Sequence, residues 1–338
     1  LNQIKNFGKK TLKKTGNEKL DNIIHNLLVE DIKKRLSWHQ YFILSKTQDY
    51  RKFYSDLKKI GQGGYGVVYE ATEINTNEKR AIKLFDKTTM RQDLLKMNLF
   101  MPSEDEIKKY FDDLFNEVEN MRIARGPNNE NINTVKFYEY FDNENEFAIV
   151  MELCDENLVE NIRNKKRPYN IQEIKEILTQ LNNTFKIMDE QLLGHRDLKL
   201  QNILIKYEST GKPIFKIADY GCSKKLFSMS KQFSTRCGTS SFMAPEVLEG
   251  DNYNLECDLW SLGIIIYVLH FNKYPYSAEH ILGIYNQIKT LGQKILAKTQ
   301  NFFLDDLIRK LLVADPKKRI AWKEYFNHPF FDPIPKIK

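Results

Sequence analysis

The chain lacks a CxxC pair, a metal-ligand spacing of cysteine and histidine, a long apolar run and any concentration of charge of one sign. Its four cysteines, Cys154, Cys222, Cys237 and Cys257, are scattered. That excludes a disulfide framework or zinc knot written into spacing, and reads as free thiols in a reducing, cytoplasmic compartment. No signal peptide opens the chain. The longest apolar run, "LGIIIYVL" at 262–269, falls far short of the roughly 20 residues that span a bilayer and reads as a buried helix. The net charge of +7 comes from 52 basic and 45 acidic residues mixed along the chain. Its basic clusters ("GKKTLKK", "DIKKR", "RNKKR", "DPKKR") are short, so the stripe expected of a nucleic-acid binder is missing and no nucleic-acid partner is expected. The first methionine is Met90, which reads as a piece of something longer.

What is present begins with a repeat. Residues 1–42 slide onto 285–326 without a gap, and 23 of the 42 pairs are identical. "LLVEDIKKRLSWHQYF" falls on "LLVADPKKRIAWKEYF", a likeness too long for chance similarity of lysine-rich helices. The first 42 residues therefore read as a partial repeat, the end of a preceding copy of the same domain. Residues 43–53 read as a polar linker. From 54 to about 100, alternation around a glycine-rich turn predicts strands and hairpins. "EDEIKKYFDDLFNEVENMRIA" carries helical spacing. "INTVKFYEYFDNENEFAIVMELC" reads as two strands around an Asp-Asn turn. Beyond 156 helical patterns prevail, with short strands near 203–206 and 214–218. The fold class is α+β, with a small sheet-rich lobe ahead of a larger helical one.

Four stretches carry chemistry. "GQGGYG" spaces Gly61, Gly63 and Gly66 as G-x-G-x-x-G, which lets backbone approach phosphate oxygens. Its strand–turn–strand setting argues against a dinucleotide fold, where a helix follows. Lys83 in the apolar "AIKLF" is a candidate phosphate ligand that needs a carboxylate partner; Glu117 is first choice and Glu119 second. "HRDLKLQN" at 195–202 puts a carboxylate, an ammonium and an amide on one loop, the groups that phosphoryl transfer requires. "ADYG" at 218–221 adds a carboxylate beside a glycine, suited to a metal ion on a mobile loop.

In this order, together with "APE", "DLWSLG" and "DPKKRI", these motifs resemble the eukaryotic protein kinase family of serine/threonine type over 54–332. The resemblance implies a bilobal fold: N-lobe 54–151, hinge 152–155, C-lobe 156–332, and a tail at 333–338. It implies ATP and Mg2+ as cofactors and a protein substrate offering a serine or threonine hydroxyl. Ile60, Gly61, Gly63, Gly66, Val68 and Ala81 would enclose the nucleotide, with Met151 as gatekeeper before Glu152, Leu153 and Cys154. Lys83 would bind phosphate and pair with Glu117. Asp197 would orient the hydroxyl and accept its proton, Lys199 would neutralise the moving phosphoryl group, and Asn202 and Asp219 would hold magnesium. Glu246 and Arg319 would form a buried ion pair, and Asp258 would anchor the catalytic loop. Met121, Phe137, His195 and Tyr220 would stack as a spine. Lys199 and Thr239 match the serine/threonine pattern. Arg196 implies control by phosphorylation at Thr235, or next at Ser234, through an upstream kinase or autophosphorylation.

The departures are specific. Lys83 and Glu117 are 34 positions apart, about twice the family's usual separation, so residues 88–111 read as an insertion, either an extra helix or a mobile element. Tyr220 replaces the usual phenylalanine and adds a hydroxyl that needs a partner if buried. The segment after the hinge is short, leaving Glu156 or Asn157 for the ribose. Gln201 and Val268 give no support for a basic substrate preference. Residues 1–42 read as tandem kinase domains in a longer polypeptide, ahead of a fused gene model or a docking element. The alternative to catalysis is a nucleotide-binding scaffold of pseudokinase type; a small-molecule kinase is disfavoured by "CGTSSFMAPE".

Overall fold

The computed structural model describes residues 49–63, 66–97, 104–226, 239–250 and 252–333. Residues 1–42, Ser234, Thr235 and the tail beyond 333 lie outside them. The chain divides into two units, one taking the described residues up to 97 with Glu139–Val150, the other taking 104–138 with the described residues from Met151.

The first unit is built on a sheet of β1 (Tyr54–Gln62), β2 (Val67–Glu73), β3 (Lys79–Asp86), β4 (Phe137–Asp142) and β5 (Glu146–Glu152), in the order β1-β2-β3-β5-β4. Strand β5 is flanked on both edges and reads as an unbroken apolar run, and Phe147–Val150 are fully buried. The stretch read as linker is packed at its end. Tyr50 is buried, and Arg51 forms a fork onto Glu146, both bonds 2.7 Å. After β3 the chain turns directly into α1 (Lys87–Met97). Asp86 accepts from the amides of Thr88 at 2.8 Å and Thr89 at 3.2 Å, satisfying donors that a helix start leaves open. Lys87 Nζ reaches the β4–β5 turn through Asp142 and, at 2.8 Å, the carbonyl of Asn143. The insertion therefore starts as an extra helix fixed to the sheet.

The second unit opens with α2 (Glu104–Ala124), the helix expected over those residues. Val118, Met121 and Ala124 of α2 are buried, and the helix packs on Tyr220–Cys222 and on α4 below. Then follow β6 (Glu156–Asn157), α3 (Leu158–Lys165), α4 (Ile171–Glu190), β7 (Leu193–Gly194), β8 (Ile203–Tyr207), β9 (Pro213–Ile217) and β10 (Lys224–Lys225). The unit continues with α5 (Pro245–Glu249), α6 (Glu256–Phe271), α7 (Ile281–Thr290), α8 (Phe302–Leu311) and α9 (Trp322–Phe326). Helix α4 buries Ile174, Ile177, Leu178, Leu181, Phe185 and Met188, one stripe at helical spacing. Helix α6 is buried all round from Cys257 to Leu269, which is why "LGIIIYVL" shows no polar face.

One loop in this unit behaves as a strand. Residues 131–135, after α2, run parallel to β9. Val135 N–H donates to the Ile217 carbonyl and Ile217 N–H to that of Asn133, each 2.9 Å. The Asn133 carboxamide adds a 2.9 Å bond to the carbonyl of Phe215. Strand β9 leads into residues 218–221, so this edge fixes where that motif starts.

Candidate active site

The loop 195–202 is held from beneath by Asp258 on α6. Its carboxylate accepts from the amides of His195 at 2.7 Å and Arg196 at 2.8 Å. Burial raises the Asp258 pKa above the usual carboxylate range, while the two amides and the neighbouring His195 and Arg196 oppose that rise. Arg196 takes a left-handed backbone, φ 69°, which a side chain tolerates only where its surroundings enforce it. Its Nε donates to the Tyr253 hydroxyl at 2.9 Å.

Asp197 is the centre of a closed set of bonds. Lys199 Nζ donates to Asp197 Oδ2 at 2.6 Å and to Thr239 Oγ1 at 3.0 Å. Thr239 in turn donates to Asp197 Oδ1 through its amide at 2.8 Å and its hydroxyl at 3.0 Å. Asn202 Nδ2 reaches the Asp197 carbonyl at 2.9 Å and Oδ2 at 3.3 Å. A carboxylate so held has one orientation, and its side chain remains 10% exposed. The Asn202 carbonyl accepts from the Ala218 amide at 2.9 Å, tying this loop to the next motif.

Asp219 follows with φ 63° and ψ 75°, again left-handed. Tyr220 is fully buried, its ring 5.2 Å from that of His195, with Met121 also buried. The hydroxyl has found a partner in Thr134. A side chain on Gly221 would put its Cβ 3.1 Å from a Glu117 carboxylate oxygen and 3.5 Å from Asp219 Oδ1, so glycine lets these groups approach. Glu117 is 4% exposed, whereas the Glu119 side chain is 63% exposed and pairs loosely with Arg122 at 3.9 Å. The buried carboxylate on α2 is therefore Glu117.

In the first unit, Gly63 N–H donates to the Gly66 carbonyl at 2.8 Å. A Cβ on Gly66 would meet the Leu84 carbonyl at 2.9 Å, so the turn lies directly on β3. Lys83 on β3 stands opposite Val68, and Ala81 opposite Glu70. The Lys83 ammonium is 5.1 Å from the centre of the Phe85 ring. Lys83 and Glu117 belong to different units. Ile60 is 46% exposed.

Glu246 and Arg319 meet as a fork, 2.7 and 2.8 Å. Neither residue weighed for the ribose is uncommitted. The Glu156 carboxylate accepts from Tyr207, Asn161 and Asn164 at 2.6, 2.7 and 2.9 Å, and Asn157 caps α3 through the amides of Val159 and Glu160. The expectation of free thiols holds at Cys154 and Cys257, whose pKa values burial raises, to about 12 at Cys154. Cys222 is disulfide-bonded, not the free thiol expected there.

Sequence reasoning missed Lys216. Its residue is 5% exposed, and Nζ bonds the Ile132 carbonyl at 2.6 Å and pairs with Glu152 at 3.0 Å. Glu152 also accepts from the Lys136 amide at 2.6 Å. A lysine in the apolar run "IFKIAD", three residues before Asp219, was the available signal. Thr134 offered none.

This arrangement is that of a phosphotransferase loop, and comparison with known proteins agrees. The family described as protein kinase domain matches residues 54–331, and the chain belongs to that family, in its eukaryotic serine/threonine branch. It is 32% identical to the serine/threonine-protein kinase atg1 of Dictyostelium discoideum over 81% of this chain and 38% of that one. It is 29% identical to the serine/threonine-protein kinase cds1 of Schizosaccharomyces pombe over 82% of this chain and 58% of that one. A human SNF-related serine/threonine-protein kinase is 30% identical over 83% of this chain and 34% of its own. The chain thus spans less than two thirds of these relatives' length.

Proposed function

We propose that this chain is a serine/threonine protein kinase that moves the γ-phosphoryl group of ATP to a hydroxyl of a protein substrate. The observation that carries the reading is the closed set Asp197–Lys199–Thr239–Asn202. Phosphoryl transfer needs positioning and charge more than covalent chemistry. The substrate oxygen attacks phosphorus, the bond to the ADP oxygen breaks, and the hydroxyl proton passes to Asp197. Lys199, donating to both Asp197 and Thr239, places a cation beside the attacked group. Lys83 and the glycine-rich turn serve the phosphates, and Met151 to Cys154 the adenine.

The donor set suits magnesium. Asn202 spends its Nδ2 on Asp197, which leaves its amide oxygen to offer an ion, and Asp219 supplies a carboxylate. Among the described residues no three acidic, histidine or cysteine side chains cluster as a metal cage. Magnesium is typically held by one or two protein oxygens with the rest from phosphate and water. When bound, the ion offsets charge on the phosphates; Asn202 and Asp219 would hold it.

Arg196 and Thr235 would form the phosphorylation switch, set by an upstream kinase or by autophosphorylation. Residues 1–42 would be the end of an adjacent kinase domain. Among the described residues no helix is long and apolar enough to cross a membrane.

The test uses the full chain and an Asp219→Asn control with ATP and magnesium, scored by mass spectrometry on the chain and on a mixed peptide library. Phosphoserine or phosphothreonine in the wild type alone is the expected result. ATP binding without transfer, also after loop phosphorylation, would replace this reading with the nucleotide-binding scaffold.

A further inference from the structure

The departure at Tyr220 has a built counterpart. Its hydroxyl lies 2.5 Å from Thr134 Oγ1, and Thr134 is itself fully buried. Thr134 Oγ1 donates onward to the Ile217 carbonyl at 3.2 Å, so the proton order is fixed: Tyr220 donates to Thr134, and Thr134 donates to Ile217. Every hydroxyl in this chain of bonds is satisfied, as burial demands.

Ile217 and Tyr220 bracket Asp219, whose left-handed backbone is a conformation that a non-glycine residue holds only when both sides are tied. Before Asp219, Ile217 is bonded to Asn133 and Val135. After it, Tyr220 is bonded to Thr134. One loop, 133–135, therefore grips the motif at both ends. We propose that Thr134 is a positioning residue that holds Asp219 in its metal-binding arrangement through the Tyr220 hydroxyl.

This deepens the kinase reading and rests on it for the role of Asp219, but the geometry is testable without catalysis. The perturbations separate hydroxyl from volume. Tyr220→Phe removes one partner and leaves Thr134 its bond to Ile217. Thr134→Val keeps the shape and strands the Tyr220 hydroxyl, while Val135 still ties Ile217. Thr134→Ser keeps the oxygen.

The first readout is amide hydrogen exchange by mass spectrometry on the nucleotide-free full chain. It follows residues 218–226, with α6 as internal reference. Tyr220→Phe and Thr134→Val are expected to speed exchange at 218–226 by about 2- to 10-fold, the range of one hydrogen bond. Thr134→Ser and the α6 reference stay at wild-type rates. The double variant Tyr220→Phe/Thr134→Val exchanges no faster than Thr134→Val, because the Tyr220–Thr134 bond is already lost in Thr134→Val. The second readout is the magnesium concentration for half-maximal phosphotransfer, expected to rise by a similar factor in the same variants. The proposal is overturned if Thr134→Ser behaves like Thr134→Val, if the two single effects multiply in the double variant, or if neither single variant changes exchange. Absence of phosphotransfer in the wild type would count against the kinase reading and leave the exchange result to decide this one.

Discussion

Replacing Arg319 with methionine tests how much of the helical unit hangs on one guanidinium. The side chains of Arg319 and Glu246 are 0% and 6% exposed. Beyond its fork onto Glu246, Arg319 donates to the carbonyls of Glu256 at 2.8 Å and Val313 at 3.0 Å, and its guanidinium lies 5.3 Å from the Trp260 ring centre. The group thus joins α5, the start of α6 and the turn after α8. Arg319→Met strands a buried carboxylate, which costs about 3–5 kcal/mol. Leaving two carbonyls short adds roughly 1 kcal/mol or more. Against a total stability of about 5–15 kcal/mol, that is a large fraction. Arg319→Lys keeps the charge but forfeits the fork, so about half the loss is expected. Glu246→Leu/Arg319→Met removes the stranded charge and should recover roughly 2 kcal/mol or more of the single-variant loss. Urea unfolding followed by tryptophan fluorescence measures all three, with the slope m checked for constancy. A loss below about 1 kcal/mol in Arg319→Met, or a double variant no better than that single one, would refute the reasoning.

Lys216→Met should cost about 2–4 kcal/mol by the same logic, reduced because the Glu152 side chain is 15% exposed and keeps the Lys136 amide; Lys216→Met/Glu152→Leu should recover most of it in the same unfolding assay. Gly66→Ala forces a Cβ against the Leu84 carbonyl, so β2 and β3 must part. The Michaelis constant for ATP should rise about 5-fold or more with that for peptide unchanged, corresponding to about 1 kcal/mol or more, the low end of the overpacking range. Hydrogen bonds from Arg167 first, and then Lys165 and the Asn170 amide, hold Glu173 down to about 2. A depressed carboxylate stabilises fully above its ordinary value near 4.5 and loses that contribution as pH falls through the folded value. The stability difference between wild type and Glu173→Gln should therefore shrink between pH 4.5 and 2, and stay small throughout because the pair faces solvent.

Periodicity and motif spacing carried most of the architecture. Helix α2 covers the residues its apolar spacing marked, and β8 and β9 fall on the short strands expected near 203 and 214. The chemistry of 195–202 was equally legible, since its groups lie on one loop and local spacing dictates their geometry. The pairings that were illegible join distant segments. Lys216 meets a carbonyl 84 positions away and Tyr220 a hydroxyl 86 positions away. No local pattern marks Thr134, because any small polar residue would suit a loop. Tyr220 could announce only that its hydroxyl needed a partner. Cysteine pairing depends on how closely two Cβ atoms approach, which sequence spacing does not encode, so Cys222 read as a thiol.

The structure also gives the repeated opening a physical test. Leu304, Ile308, Leu311, Leu312, Trp322 and Tyr325 are buried. At the offset of 284 they fall on Leu20, Ile24, Leu27, Leu28, Trp38 and Tyr41, identical at every one of these positions. Phe302 and Phe303, 78% and 46% exposed, fall instead on Glu18 and Lys19. These shared interior positions mean that residues 1–42 carry the sequence pattern of a lobe's end. That pattern needs a lobe to complete it. Arg319 takes its carboxylate from Glu246 and its ring from Trp260, and neither has a counterpart in a segment that matches only 285–326. For Arg35, the match to Arg319, the segment holds no residue that corresponds by sequence to Glu246 or Trp260. Arg35→Met should therefore leave the unfolding free energy of the full chain within about 0.5 kcal/mol of wild type, as a surface substitution does, while Arg319→Met does not. Equal losses in the two variants would mean that the opening segment docks on this kinase domain through Arg35, and would replace the tandem reading with an internal docking element.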